Sequence, residues 1–237
     1  MFICLQRSIS YLAAVTINNG IDALSHCIER YLPEKSQSLT DSLALEAIRL
    51  ITRYLSKVLE DPQNSKYRSK MPYTALLGGM VIPQTGMGLI HQMGYHLTLN
   101  IGLAHGETNG LLLPSVCEFV LSQRRNKLDS LARGLGEAIE GLEEKGRLER
   151  TVRNIKGFTS QVGLLPKLEK KGIRNKKLRD FSERTFKNRV AFWDSSEEII
   201  LEDLEDIYDK ALRVSSGGLK TTEKGGESKR ENRSLCD

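Results

Sequence analysis

Residues 86–114 read GMGLIHQMGYHLTLNIGLAHGETNGLLLP. Within this stretch Leu89, Ile90, Met93 and Leu97 recur at intervals of three and four, the period of one helix face, and the pattern runs out at Asn100 and Gly102, where a turn is expected. A loop then carries His105 and Gly106. Glu107 to Leu121 resumes as a helix through Leu111, Leu112, Leu113, Val116, Phe119 and Val120, with Pro114 predicting a kink or break. The stretch also holds three of the chain's four histidines, His91, His96 and His105.

Outward from it, the same helical period recurs. Ile21, Leu24, Cys27, Ile28 and Tyr31 mark a helix over about Asn19–Leu32, with Asn18 or Asn19 as its cap and Pro33 as its stop. Thr40 to about Leu59 is amphipathic, with a capping signal in Ser38 and Asp41. After the turn Asp61–Asn64, a helix over Tyr67–Ile82 carries Ala75, Gly78 and Gly79, small enough for close helix contact and so expected to be buried. Beyond Asn126, helices are expected over Leu128–Gly136, about Leu148–Val162, Lys176–Lys187 and Leu201–Leu212, with a loop at Gly163–Pro166. No run alternates as a strand does and no repeat is visible, so the fold class is all-α, a helical bundle.

Composition bounds the function. The apolar fraction is 39%, low but enough for a core, and the aliphatic residues concentrate before about Leu121, which places the densest core and any buried site in the first half. The net charge is +5, with its clearest basic run over Lys167–Arg179. That run lacks the interleaved aromatic platform of a single-strand binder and reads as a solvated helical face, so no nucleic acid is expected. Four cysteines, Cys4, Cys27, Cys117 and Cys236, form no CxxC pair and are too few for a disulfide framework, which points to a reducing cytoplasm. The opening residues MFICLQRSISYLAAV resemble a weak signal peptide, but Arg7 interrupts the apolar run instead of preceding it. No stretch reaches the roughly 20 apolar residues of a membrane span, so no membrane partner is expected.

Asp22 and His26 stand at i and i+4, on one face of a helix. The pair alone can be an intrahelical hydrogen bond, and His91, on an apolar stripe, can be a satisfied core residue. His105 differs: it precedes Gly106 at a loop-to-helix junction, fourteen residues after His91, a separation that lets the chain leave one helix, turn and return to the same cavity. Together Asp22, His26, His91 and His105 offer three nitrogens and one oxygen, a set that suits Fe(II) or Zn(II) better than Ca or Mg.

The segments GIDALSHCIE, SLTDSLALEAIRLI and GMVIPQTGMGLIHQMGYHLTLNIGLAHGETNGLLLP resemble the metal-binding half of the iron-containing alcohol dehydrogenase family, and LARGLG, VGLLPKLEKKGI and LEDLEDIYDKAL extend the likeness more weakly. The resemblance places the family's metal ligands on Asp22, His26, His91 and His105. It divides the chain into residues 1–18, a remnant of an interdomain segment, and residues 19–213, one all-helical metal-binding catalytic domain; residues 214–237, almost without apolar side chains, are expected to form a disordered tail. Where many members carry a proton-relaying histidine four residues after the third ligand, this chain has Tyr95, with His96 beside it; Tyr95, His96 or bound water could serve, although adjacent helix residues point about 100° apart.

The resemblance also implies a reaction: reversible oxidation of an alcohol to an aldehyde or ketone with NAD or NADP, assisted by Fe(II) or, alternatively, Zn(II). Full-length members begin with a Rossmann-like domain that holds the dinucleotide. No stretch here corresponds to it, since Gly134-Leu135-Gly136 breaks the GxGxxG/A rule and reads as a helix terminus. Three expectations follow: a dehydrogenase domain active when a separate cofactor-domain chain or segment completes it, an inactive remnant that binds metal without turnover, or a basic helical binding module with a structural metal. A small alcohol or aldehyde is the expected substrate, and an apolar face left bare by the missing domain would favour a homo-oligomer.

Overall fold

The computed structural model describes residues 13–33, 36–81, 88–164, 175–189 and 199–216. Among them every regular element is a helix: α1 Ala13–Tyr31, α2 Ser38–Glu60, α3 Ser65–Arg68, α4 Lys70–Val81, α5 Leu89–Ile101, α6 His105–Gln123, a 3-10 turn at Arg125–Lys127, α7 Leu128–Gly134, α8 Glu144–Gln161, α9 Asn175–Lys187 and α10 Leu201–Ser216. The all-α expectation is met. The opening residues, Gly86 and Met87, Leu165 and Pro166, most of the basic run and the tail beyond Ser216 lie outside the described residues.

The core is built where the aliphatic stripes meet. Ile21, Leu24 and Ile28 of α1, Ile48, Ile51 and Leu55 of α2, Ile90, Met93 and Leu97 of α5, and Leu112 and Leu113 of α6 are all fully buried. Helix α1 lies between α2 and α6, α5 packs along α6, and α6 continues against α8 and α10. Tyr208 of α10, buried, donates from its hydroxyl to the Met93 carbonyl at 2.8 Å and so braces the middle of α5. Among the described residues no helix is long and apolar enough to cross a membrane.

Several local expectations are corrected. Helix α1 already runs through Asn18 and Asn19, so neither caps it; Asn18 instead turns its amide back to the Ala14 carbonyl at 2.9 Å, an alternative open to any asparagine inside a helix. The N-cap of α2 is Gln37, and Ser38 already belongs to the helix; Asp41 accepts from the Ser36 hydroxyl at 2.9 Å instead of acting as part of a cap. The single helix expected over Tyr67–Ile82 is divided at Ser69 into α3 and α4. Helix α8 begins at Glu144, one turn before Leu148, and α7 ends at Gly134, with Gly136 at φ +87° in the left-handed region that favours glycine.

Pro114 does not break α6, which is continuous from His105 to Gln123. A proline inside a helix costs about 3 kcal/mol or more. Here Leu111, Leu112, Leu113, Val116, Cys117, Val120 and Leu121 are all buried around it, and packing on that scale holds the helix together. Helix α4 buries Thr74, Leu77, Gly78 and Val81, leaving Ala75 and Gly79 exposed against expectation, along with Tyr73, Leu76 and Met80. A helix apolar on every side does not reveal from its sequence which side packs.

Candidate metal centre

Three helices bring the candidate ligands together. Helix α1 contributes Asp22 and His26, one turn apart; α5 contributes His91 in its first turn; and α6 contributes His105 as its first residue. The connection from α5 to α6 is short because Gly102 takes φ +67°, ending α5 in a left-handed cap, and Ala104 then starts α6, donating its backbone N–H to the Glu107 carboxylate at 3.1 Å. At Gly106 a Cβ would lie 2.1 Å from the Asn18 carbonyl oxygen, so only glycine lets the start of α6 press against α1 and carry His105 to Asp22.

Asp22 is the hub. Its Oδ1 lies 3.4 Å from His91 Nε2 and 3.5 Å from His105 Nε2, and its Oδ2 lies 3.7 Å from His26 Nε2. Around an ion with bonds of 2.0–2.1 Å, tetrahedral ligand atoms stand about 3.4 Å apart. Among the described residues, Asp22, His26 and His91 form the group of potential ligands whose donor atoms all lie within 4.8 Å of one another, and His105 adjoins it at the Asp22 end. The His26 and His91 rings stack at 3.9 Å between centroids, and His91 and His105 are 5.2 Å apart.

Two residues in the cluster were not foreseen. The Asn109 side-chain nitrogen sits 2.9 Å from Asp22 Oδ1, 3.1 Å from His91 Nε2 and 3.2 Å from His105 Nε2, while its own oxygen is buried without a hydrogen-bond partner. The Nε2 of a protonated His91 is a donor, as the amide nitrogen is, so the two face each other without a hydrogen bond, an opposition that a cation bound to a deprotonated Nε2 would remove. The donor set, one carboxylate and three imidazoles, fits a divalent ion. Glu29, also buried, accepts from the backbone N–H groups of Ile90 and His91 and from the His91 ring at Nδ1. Spacing could have found both: Glu29 follows His26 by three residues and Asn109 follows His105 by four, each on its ligand's helix face.

The charges are divided unequally. Burial works against a charged His91, but its hydrogen bonds to Asp22 and Glu29 and their negative charge outweigh it, holding the pKa up at about 9. His26 is pushed down to about 4, chiefly by burial and then by the neighbouring His91, and His105 is lowered chiefly by burial. Burial would raise Asp22, yet the hydrogen bond to His91 and the charges of His26 and His105 leave it below the usual carboxylate range. Without an ion, the centre at neutral pH is an Asp22–His91–Glu29 charge array flanked by two neutral imidazoles.

Tyr95 and His96 part company. The Tyr95 ring, half-exposed, lies 5.2 Å from the His105 ring. The His96 ring stacks on Phe181 of α9 at 5.7 Å and 10°, and its pKa is lowered by burial and then by Arg184.

Residues 16–212 match the model of the Fe-containing alcohol dehydrogenase family, C-terminal. The chain belongs to this family. It is 31% identical over 180 residues to a 1,3-propanediol dehydrogenase of Klebsiella pneumoniae, covering 76% of this chain and 46% of that one, and 27% identical over 200 residues to an NAD-dependent methanol dehydrogenase of Bacillus methanolicus, covering 84% and 52%. The chain therefore spans about half the length of these curated relatives. Among solved structures it superposes on a 1,3-propanediol oxidoreductase with a TM-score of 0.79 at 28% identity, over 86% of this chain and 53% of that one. It superposes on an iron-containing alcohol dehydrogenase of Thermotoga maritima with a TM-score of 0.71 at 32% identity, over 86% and 51%.

Proposed function

We propose that this chain forms the metal- and substrate-holding half of an NAD- or NADP-dependent alcohol dehydrogenase acting on small alcohols or aldehydes. The observation that carries the reading is the gathering of His26, His91 and His105 around the Asp22 carboxylate, with ring nitrogens 3.4–3.7 Å from its two oxygens, in a chain of this family. Those four residues would hold Fe(II) or Zn(II). When bound, such an ion supplies Lewis acidity that lowers the hydroxyl pKa of an alcohol and so prepares it for hydride loss to nicotinamide.

The remaining steps fall to the protein's own groups. Asp22 brings one negative charge among neutral imidazoles and moderates the ion's acidity. Asn109, already within hydrogen-bond reach of Asp22, keeps that carboxylate oriented. Tyr95 is the member of the Tyr95–His96 pair beside a ligand, and its hydroxyl is the group proposed to pass the substrate proton towards solvent. The dinucleotide is proposed to come from a cofactor-binding half outside residues 13–216; the exposed Tyr73, Leu76 and Met80 supply apolar surface that such a partner, or a second copy, would cover. Cys27 and Cys117, unpaired and buried, accord with a cytoplasmic setting.

The test is NAD-dependent oxidation of simple primary alcohols by the metal-loaded chain, alone and mixed with the separately expressed cofactor half of a relative. Turnover is expected only in the mixture and is expected to vanish with His91→Ala. Turnover by the chain alone, or turnover unaffected by that substitution, would overturn the reading. Metal binding with no turnover in the mixture would favour an inactive remnant.

A further inference from the structure

Glu29 is 7% exposed, sits three residues after His26 on α1, and reaches across to a different helix. Its Oε1 accepts from the backbone N–H groups of Ile90 and His91, at the start of α5, and its Oε2 meets His91 Nδ1. The N-cap of α5 is Gly88, which has no side chain to offer those N–H groups, so the carboxylate from α1 replaces a local cap. Gly88 also makes room: a Cβ there would lie 2.5 Å from the Glu29 carboxyl carbon and 2.6 and 2.9 Å from its oxygens.

The chemistry of this contact is one-sided. The α5 N–H groups are donors, and once Nε2 gives its lone pair to an ion the His91 ring must carry its proton on Nδ1, a third donor. Only a group that accepts at both ends satisfies them. A carboxylate does so; an amide, with one acceptor and one donor end, fails at one contact whichever way it is turned.

We propose that Glu29 is a positioning residue of the metal centre, fixing the Nδ1–H tautomer and ring orientation of His91 so that Nε2 faces the ion while anchoring the first turn of the helix that carries it. The inference rests on the metal-binding reading above. Hydrogen-bond partners of this kind behind a ligand histidine set its basicity and orientation, and losing one weakens metal binding about 10–100-fold.

The experiment is a Co(II) titration of the purified chain followed by visible absorption, comparing wild type with Glu29→Gln, Gly88→Ala and, as a stability control away from the centre, Ile48→Val. Co(II) binding to Glu29→Gln is expected to weaken about 10–100-fold with an altered d–d spectrum. Gly88→Ala should do the same with Glu29 chemically intact, because it displaces the carboxylate, and Ile48→Val should leave affinity and spectrum unchanged. A folded Glu29→Gln protein with affinity within twofold of wild type and an unchanged spectrum would overturn the proposal, as would that result for Gly88→Ala should Glu29→Gln not fold. Failure of the wild type to bind Co(II) would instead strike the metal-binding reading itself, and the role of Glu29 with it.

Discussion

His91 Nε2 and Asp22 Oδ1 face each other at 3.4 Å where α5 meets α1, with the second nitrogen of the same ring on Glu29. A histidine held between two carboxylates binds a proton tightly, and its pKa stands at about 9. An ion needs that nitrogen unprotonated, so metal and proton compete for His91. His26, at about 4, is already neutral and adds no such competition above pH 6. Zn(II) affinity, measured by competition with a chromophoric chelator, is expected to rise about tenfold per unit between pH 6 and pH 8. Affinity flat across that range would contradict the His91 assignment.

The metal-free protein has its own pH signature. His91 titrates above its unfolded value of about 6.5, so its contribution is fully present below that value and is lost as pH rises through about 9. His26 is depressed and remains neutral when folded, so the unfolded chain binds more protons as pH falls from about 6.5 towards 4, and stability drops; His105 pushes the same way. The His91 and His26 shifts are each worth on the order of 3 kcal/mol. Urea denaturation of the chelator-treated protein should therefore show maximum stability near pH 6–7, falling on both sides; a rise continuing to pH 9 would contradict it.

Gly106→Ala tests the helix crossing. By intrinsic helix preference alone, alanine would stabilise α6 by about 1 kcal/mol. The new Cβ would instead lie 2.1 Å from the Asn18 carbonyl, a backbone atom that cannot rotate away. The variant is expected to lose about 1–3 kcal/mol in urea denaturation and to bind metal more weakly, since α1 and α6 must separate. Unchanged or increased stability would show that the two helices do not press together here.

Tyr95 and His96 should separate cleanly in the mixture with a cofactor half. Tyr95→Phe keeps the ring beside His105 and removes only the hydroxyl, so metal content should hold while turnover falls about 100-fold. His96→Ala removes a ring stacked on Phe181, so stability should fall while turnover per folded molecule is kept. The reverse pattern would move the relay to His96.

The helices and the gathering of Asp22, His26, His91 and His105 were legible because strong periodicity marks a helix, and because four histidines confined to two places leave few arrangements. Which way α4 faces was not legible, since Tyr73, Leu76 and Met80 differ little in polarity from the buried Leu77 and Val81. Glu29 passed unnoticed because a glutamate beside an arginine, near a helix end, looks like solvated surface; only the placement of α5 reveals its burial. Asn109 hid in the polar, glycine-flanked first turns of α6, which read as a helix start, and its spacing from His105 was the sole clue. The continuity of α6 through Pro114 depends on packing from α1, α8 and α10, which no local pattern contains.

The most direct measurement is the iron and zinc content of the purified protein beside that of a His91→Ala, His105→Ala double variant. A centre built on Asp22, His26, His91 and His105 requires bound metal in the wild type and its fall to background in the variant. Equal metal content in the two proteins would contradict it.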